Sequence, residues 1–498
     1  MSEATRGVIL PAGETGSTFF HRILTSAVAR FPDALGAARL PTDADHFRKG
    51  YGRALAAFEA ARIASPERVA IARHMVTALH DGLGHAGPGA ATSLAEHLAT
   101  PHATPIAFAR HRFGGRPGLR PAVHFAKKLH EGRALVGVVD DLHRQHHVTD
   151  AALNALRWLV EHAAATDGVL DLRGHRFALI GAGAELAPTA MLLQAGATVL
   201  WLDVVGPAGR LPPGLAGDLV VPSGVGDVLE DPRAVREAIV QFAEGQPVHL
   251  GLFAYAPGKG RELRLAGAMD AIARSLDPAI VASVAMFVSP TVPAEVQAED
   301  VAHTSYRQEH LPTWQAALQK VGALVGPGHH VHRATSIAHA VVGLQGPTYQ
   351  AAQYLAKMAS AEVWATHGGR LDGAPRPVTT SANIAGIAAT RSLVHPLFQA
   401  AFIGAASFGV RIFEPATTRT MAAMLVLHDL LNPASPSAAG SAFEAPAQKA
   451  QALARRQLHG GAYNLPWVFD TTIRAAAVLG LAKRPSLALA LGRKRGRG

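Results

Sequence analysis

Gly181-Ala182-Gly183 is a turn that lacks a side chain at two of its three positions, so backbone N–H groups there can close on a phosphate. Twenty residues past the second glycine stands Asp203, a carboxylate suited to accept from a ribose 2′-hydroxyl. Further on, Tyr255-Ala256-Pro257-Gly258-Lys259-Gly260-Arg261 gathers a phenol, an ammonium, a guanidinium and two glycines. Such a set can donate a proton at a carbonyl oxygen while it holds an anion. Tyr255 and Lys259 are spaced Tyr-x-x-x-Lys, but Pro257-Gly258 breaks the helix that would put both on one face, so the spacing reads as coincidental. Ser289-Pro290-Thr291 offers two hydroxyls, and Tyr349 a second phenol. The densest histidine cluster is His329-His330-Val331-His332 with His339. In a strand His330 and His332 share a face, and His332 is a candidate acid or base because imidazole titrates near neutrality. No carboxylate follows at metal-ligand spacing, so no metal is expected there. His143, His146 and His147 beside Asp140 and Asp141 read as a polar loop. Residues 11–18 are rich in glycine and hydroxyls but lack the lysine of a phosphate-binding loop.

These residues must be positioned by alternating elements. Arg176–Ile180 is apolar and β-prone; 184–196 reads as a helix closed by Gly196, and Thr198–Leu202 as the next strand. Asp218-Leu219-Val220-Val221 is a third strand and 231–242 a helix with Pro232 at its start. Residues 248–254 form a fourth strand, 261–276 a helix and 280–288 a fifth strand. That alternation predicts a parallel, doubly wound α/β sheet. Upstream, 54–64, 68–80 and 151–165 have helical periodicity, 134–139 reads as a buried strand, and 84–104 as loop or short helix. Beyond about residue 303 the pattern is mainly helical, with helices over 346–365, 391–408, 417–431 and 445–458. Residues 381–386 read as a turn and 433–440 as a flexible connector. Three regions result: 1–148, an N-terminal α/β or mainly helical domain; 149–300, the sheet; and 301–498, a helical substrate or oligomerisation region with a basic tail.

Strand, glycine turn, helix, strand and acid in this order resemble the Rossmann-type NAD(P)-binding superfamily. Leu186 stands where G-x-G-x-x-G has its third glycine, and Ala187 fits the looser G-x-G-x-x-x-A form. The resemblance implies cofactor contacts at Gly181, Ala182, Gly183, Glu185, Leu186, Ala187 and Asp203, with Tyr255, Pro257, Gly258 and Ser289 toward the nicotinamide. Asp203 implies NAD, and the looser spacing admits NADP. The helix feeding Leu172-x-Gly174 and the first strand is similar in layout to shikimate and methylene-tetrahydrofolate dehydrogenases, in which a catalytic domain precedes the nucleotide unit. The implied activity is hydride transfer between a nicotinamide and a carbonyl or alcohol of a bulky or hydrophobic small molecule, with Tyr255, Lys259 and His332 as proton-transfer candidates. A transferase using S-adenosylmethionine or a nucleotide-sugar, and a non-enzymatic nucleotide-binding peripheral scaffold, are the alternatives.

Composition bounds these readings. The chain has 498 residues, 49% hydrophobic and 17% charged, which fits folded domains and not a disordered chain. No cysteine is present, which excludes disulfides, thiolate nucleophiles and cysteine-ligated metal clusters. The net charge of +10 is dispersed apart from Lys483, Arg484 and the run 493–497, a tail able to touch an anionic surface. No aromatic-interleaved basic stripe points to nucleic acid. No signal or membrane-spanning stretch is read, so a cytoplasmic homo-oligomer is expected.

Overall fold

Strands buried on both faces read as continuous apolar runs, because helices must cover each side. The computed structural model describes residues 6–258, 260–372, 376, 378–441, 443 and 445–488. Its strands include β1 (Phe108–Arg112), β2 (Arg176–Ile180), β3 (Thr198–Leu202), β4 (Asp218–Pro222), β5 (Val248–Leu252), β6 (Val281–Val288), β7 (His329–His332), β8 (Thr335–Ala338) and β9 (Thr379–Ile384). Seven of them form one sheet in the order β9-β6-β5-β2-β3-β4-β1. All neighbours run parallel except β1, which lies antiparallel on β4. Strand order therefore reverses between β2 and β5, whose last residues, Ile180 and Leu252, pair in register.

Helices cover both faces. They include α1 (Gly16–Arg30), α2 (Ala44–Ile63), α3 (Arg68–Gly82), α4 (Arg133–Arg144), α5 (Asp150–Ala164), α6 (Thr189–Gln194), α7 (Pro232–Ala243), α8 (Arg261–Ser275), α9 (Ala298–Glu309), α10 (Pro347–Lys357), α11 (Pro396–Ala405), α12 (Pro415–Leu431) and α13 (Phe469–Lys483). Alternate strand residues Ala178, Ile180, Leu200 and Leu252 join a core with Phe19, Phe58, Ile239, Leu263 and Tyr354. The opposite residues, Phe177, Leu179, Val199 and Trp201, join a second core with Val139 of α4, Leu156 and Leu159 of α5, and Met424 of α12. A third core joins Val288, Phe408, Trp467 and Phe469. The three sequence regions do not each keep a core of their own: 8–106 shares one with the sheet and with 341–378.

Several expectations are corrected. Residues 134–139 belong to helix α4, because Leu135, Val138, Val139 and Leu142 are the buried set, an i, i+3, i+4, i+7 stripe that a valine-rich run disguised. Residues 381–386 begin in a strand, not a turn. β9 is the sixth parallel strand, and its polar side chains are consumed by Asp429 of α12, which accepts from Ser381 Oγ at 2.6 Å and Asn383 Nδ2 at 3.3 Å. The 433–440 connector is pinned, with Ser435 and Ser437 buried and Ser435 Oγ donating to Asp429 at 3.0 Å. A helix over 391–408 starts only at Pro396, which has no N–H to give an earlier turn. The mainly helical C-terminal region also supplies the β7–β8 hairpin and β9. Among the described residues no helix is long and apolar enough to cross a membrane.

A ring of buried charge ties the N-terminal helices to the segment after α10. Glu59 accepts from Arg62 Nε (2.8 Å), Tyr354 Oη (2.6 Å) and Lys357 Nζ (2.6 Å). Glu362 accepts from Arg62 Nη2 (3.0 Å), Arg68 Nη2 (2.7 Å) and Arg68 Nε (3.2 Å). Glu362 sits in Met358–Trp364, wound as a π-helix, and all five charged side chains are buried. Groups this deep are tolerated only when each is paired and hydrogen-bonded.

Candidate functional site

Ligands of open α/β sheets bind beyond the carboxyl ends of the strands, where strand order reverses. Gly181 occupies that point. Its φ is +85°, and a Cβ there would lie 2.3 Å from Ala254 N, so only glycine lets the loop after β2 pass the loop after β5. The chain then turns through 181–188. Ala184 N–H and Ala187 N–H are spent within the loop on Gly181 O and Ala184 O, and Thr189 Oγ1 donates to Ala182 O at 2.6 Å. Asp203 at the end of β3 braces the loop: Oδ2 accepts from Gly183 N–H at 2.9 Å and Oδ1 from Val205 N–H at 3.0 Å. A Cβ at Gly183 would lie 2.9 Å from the Trp201 ring. The N–H groups of Ala182, Glu185 and Leu186 have no partner among the described residues.

The helix expected from residue 184 is corrected here. α6 begins at Thr189 and has six residues, because Pro188 lacks the N–H that a longer helix would need and disfavours helical backbone at Ala187. The loop's free donors therefore belong to turns, not to a helix N-terminus. Glu185 does not face the loop unpaired: its Oε2 accepts from Arg391 N–H at 2.9 Å, with Arg391 Nε at 3.6 Å. Arg419 Nη1 donates to Glu185 O at 3.3 Å. Neither arginine stood out in the sequence, since each lies over two hundred residues downstream and carries no motif.

Past β5, Tyr255 is 45% exposed, and its ring meets that of Tyr349 edge to face at 6.2 Å. Burial pushes the Tyr255 phenol well up, helped by Tyr349 and Glu262, so it stays protonated at neutral pH. Gly258 N–H donates to Glu262 Oε1 at 2.6 Å and Arg261 Nη2 to Pro257 O at 2.9 Å, which orders this turn at the start of α8. Lys259 lies outside the described residues. Past β6, Ser289 Oγ and Thr291 Oγ1 are 2.8 Å apart, and both hydroxyls lie against the Tyr349 phenol in the first turn of α10, opposing the upward push of burial on it. The structure thus brings Tyr255, Ser289 and Tyr349 together above β5 and β6.

It does not bring His332 there. That residue sits in the β7–β8 hairpin against α2, and no hydrogen bond or ion pair links its ring to the loops above β2, β5 or β6 among the described residues. The polar stretch 11–18 caps a helix instead of holding a phosphate: Thr15 and Thr18 form a reciprocal capping box on α1. His143 and His146 lie 3.6 Å from Glu299 and Asp300 of α9, and His303 stacks on His146 at 3.9 Å. Among the described residues no group of three or more such side chains is arranged to hold a metal ion. Comparison with known proteins finds no matching family model, no matching curated protein and no matching solved structure.

Proposed function

We propose that the chain binds a nicotinamide dinucleotide over 181–187 and transfers hydride between it and a carbonyl or alcohol of a small molecule. One observation carries the reading: three unpartnered backbone donors, braced by Asp203, at the reversal of a six-strand parallel run ordered third-second-first-fourth-fifth-sixth. That order is the one in which Rossmann-type sheets cradle dinucleotides. The residues fit the group. Ala182, Glu185 and Leu186 N–H would hold the diphosphate, and Arg391 and Arg419 add positive charge beside it. Asp203 uses one acceptor site on each oxygen for the loop and keeps others for ribose hydroxyls. Bound there, the dinucleotide supplies or takes the hydride. Tyr255, protonated at neutral pH, donates a proton to the carbonyl oxygen in reduction; in oxidation it must first lose that proton before it can take one from the alcohol. Ser289 and Thr291 orient the same polar edge through Tyr349.

Calorimetry with NAD, NADH, NADP and NADPH tests the reading. Saturable heat from at least one, abolished in Gly183→Val with its thermal stability checked in parallel, supports it. Absence of heat from all four removes it. A thermal shift seen only with S-adenosylmethionine or a nucleotide-sugar transfers the site to a group-transfer enzyme, since a ribose fits Asp203 in either case.

A further inference from the structure

A second opening lies apart from the glycine loop. α9, the β7–β8 hairpin and the stretches around Pro327 and Pro466 line a wide, open cleft of about 930 Å³, and none of its lining residues belongs to the loops above β2, β5 or β6. Its wall holds an imidazole without a hydrogen-bond partner. His339 is 9% exposed, its Nδ1 is buried and unpartnered, and no hydrogen bond reaches either ring nitrogen among the described residues. Nδ1 is closed off even to water, so Nε2 is the ring nitrogen that can meet a ligand in the cleft. His329 is already paired, since its Nε2 meets Tyr463 O at 2.7 Å. His330 faces His339 edge to face with ring centres 6.1 Å apart, too far to pair. Arg53 of α2 reaches the same cleft, is exposed, and has no ion pair among the described residues. The carboxylate among the lining residues is Glu309 of α9, exposed and likewise without an ion pair among the described residues.

We propose that this cleft binds a small molecule through an oxyanion, a carboxylate or a phosphate. Arg53 supplies the charge, His339 donates a hydrogen bond from its ring, and His330 adds a second donor. The space suits a metabolite-sized ligand. Burial, then His330, Arg53 and His329, hold the His339 ring down to about 4, so without an anion beside it the ring is neutral. Glu309, also in the lining, opposes the anion by its charge. The site needs nothing from the dinucleotide reading, and either can fail alone.

The test is calorimetry on the full chain at constant ionic strength, with inorganic phosphate in one arm and succinate in the other. Saturable binding in either arm, weakened at least tenfold in Arg53→Gln and unchanged or tighter in Glu309→Gln, bears the proposal out. The arm that binds identifies the source of the oxyanion. Arg53 is exposed, so its variant keeps the fold even where His339→Phe does not. Absence of saturable heat in both arms, or binding that Arg53→Gln leaves intact, overturns the proposal.

Discussion

Replacing Glu362 by glutamine tests the buried charge ring directly. The change preserves shape but removes one of two carboxylates that neutralise Arg62, Arg68 and Lys357. Three contacts of 2.7–3.2 Å from two buried guanidiniums then lose their ionic partner. The carboxamide can accept with only one oxygen and turns an NH2 group toward a guanidinium. Breaking one partner of a buried pair costs about 3–5 kcal/mol, because the remaining charge stays desolvated. Removing Arg68 as well, as in Glu362→Leu with Arg68→Met, leaves only Arg62 short of one contact and still paired with Glu59, and should cost less than the single variant. Burial pushes the Glu362 carboxyl up, but Arg62 and Arg68 outweigh it and hold it below its ordinary value. A depressed carboxyl contributes above the unfolded pKa, about 4.3, and loses its contribution as pH falls through the folded value. The penalty of Glu362→Gln is therefore constant from pH 6 to 8. Urea unfolding at fixed m-value measures it. A single variant costing below about 1 kcal/mol, or a double variant costing more than the single, refutes the reasoning.

Gly181→Ala should cost at least about 2 kcal/mol, from positive φ and from a Cβ that the Ala254 backbone cannot accommodate; an unchanged urea midpoint contradicts this. Burial holds His249 and His428 down to about 3, and His97, His147 and His303 down to about 4, so the unfolded chain takes up protons first. Stability is then greatest above pH 6.5 and drains as pH falls toward 4, which a flat series of denaturation midpoints from pH 7.5 to 5 would exclude. Tyr255→Phe should leave NADH affinity within about twofold while lowering turnover of any carbonyl substrate by about 10²–10⁴; equal turnover removes the phenol from the chemistry. Arg419→Gln should weaken dinucleotide binding by about tenfold, the value of one charge-assisted contact, as read by calorimetry.

The central strands and their order of appearance are legible because each is an apolar run, and the first two end on a glycine and an acid, Gly181 and Asp203. Arg176–Ile180 and Thr198–Leu202 have the expected bounds. What sequence pattern missed has physical causes. β9 is polar because Asp429, nearly fifty residues on, satisfies its side chains, and local hydropathy carries no trace of that. α4 hid its helical stripe behind β-branched residues. A glycine turn does follow β2, but Pro188 delays the helix after it, and the arginines over Glu185 come from distant parts of the chain. That His339 keeps its ring nitrogens unpaired in a cleft wall follows from tertiary packing, which no spacing rule reveals.

β9 joins the sheet only about ninety residues after Val288, where β6 ends. During synthesis the flank of β6 must wait, unpaired, until nearly four-fifths of the chain has left the ribosome. Parallel pairing across such a separation is slow, since the intervening chain must be ordered before any contact rewards it. Nascent chains halted before residue 379 would therefore present a naked strand margin to chaperones and to one another.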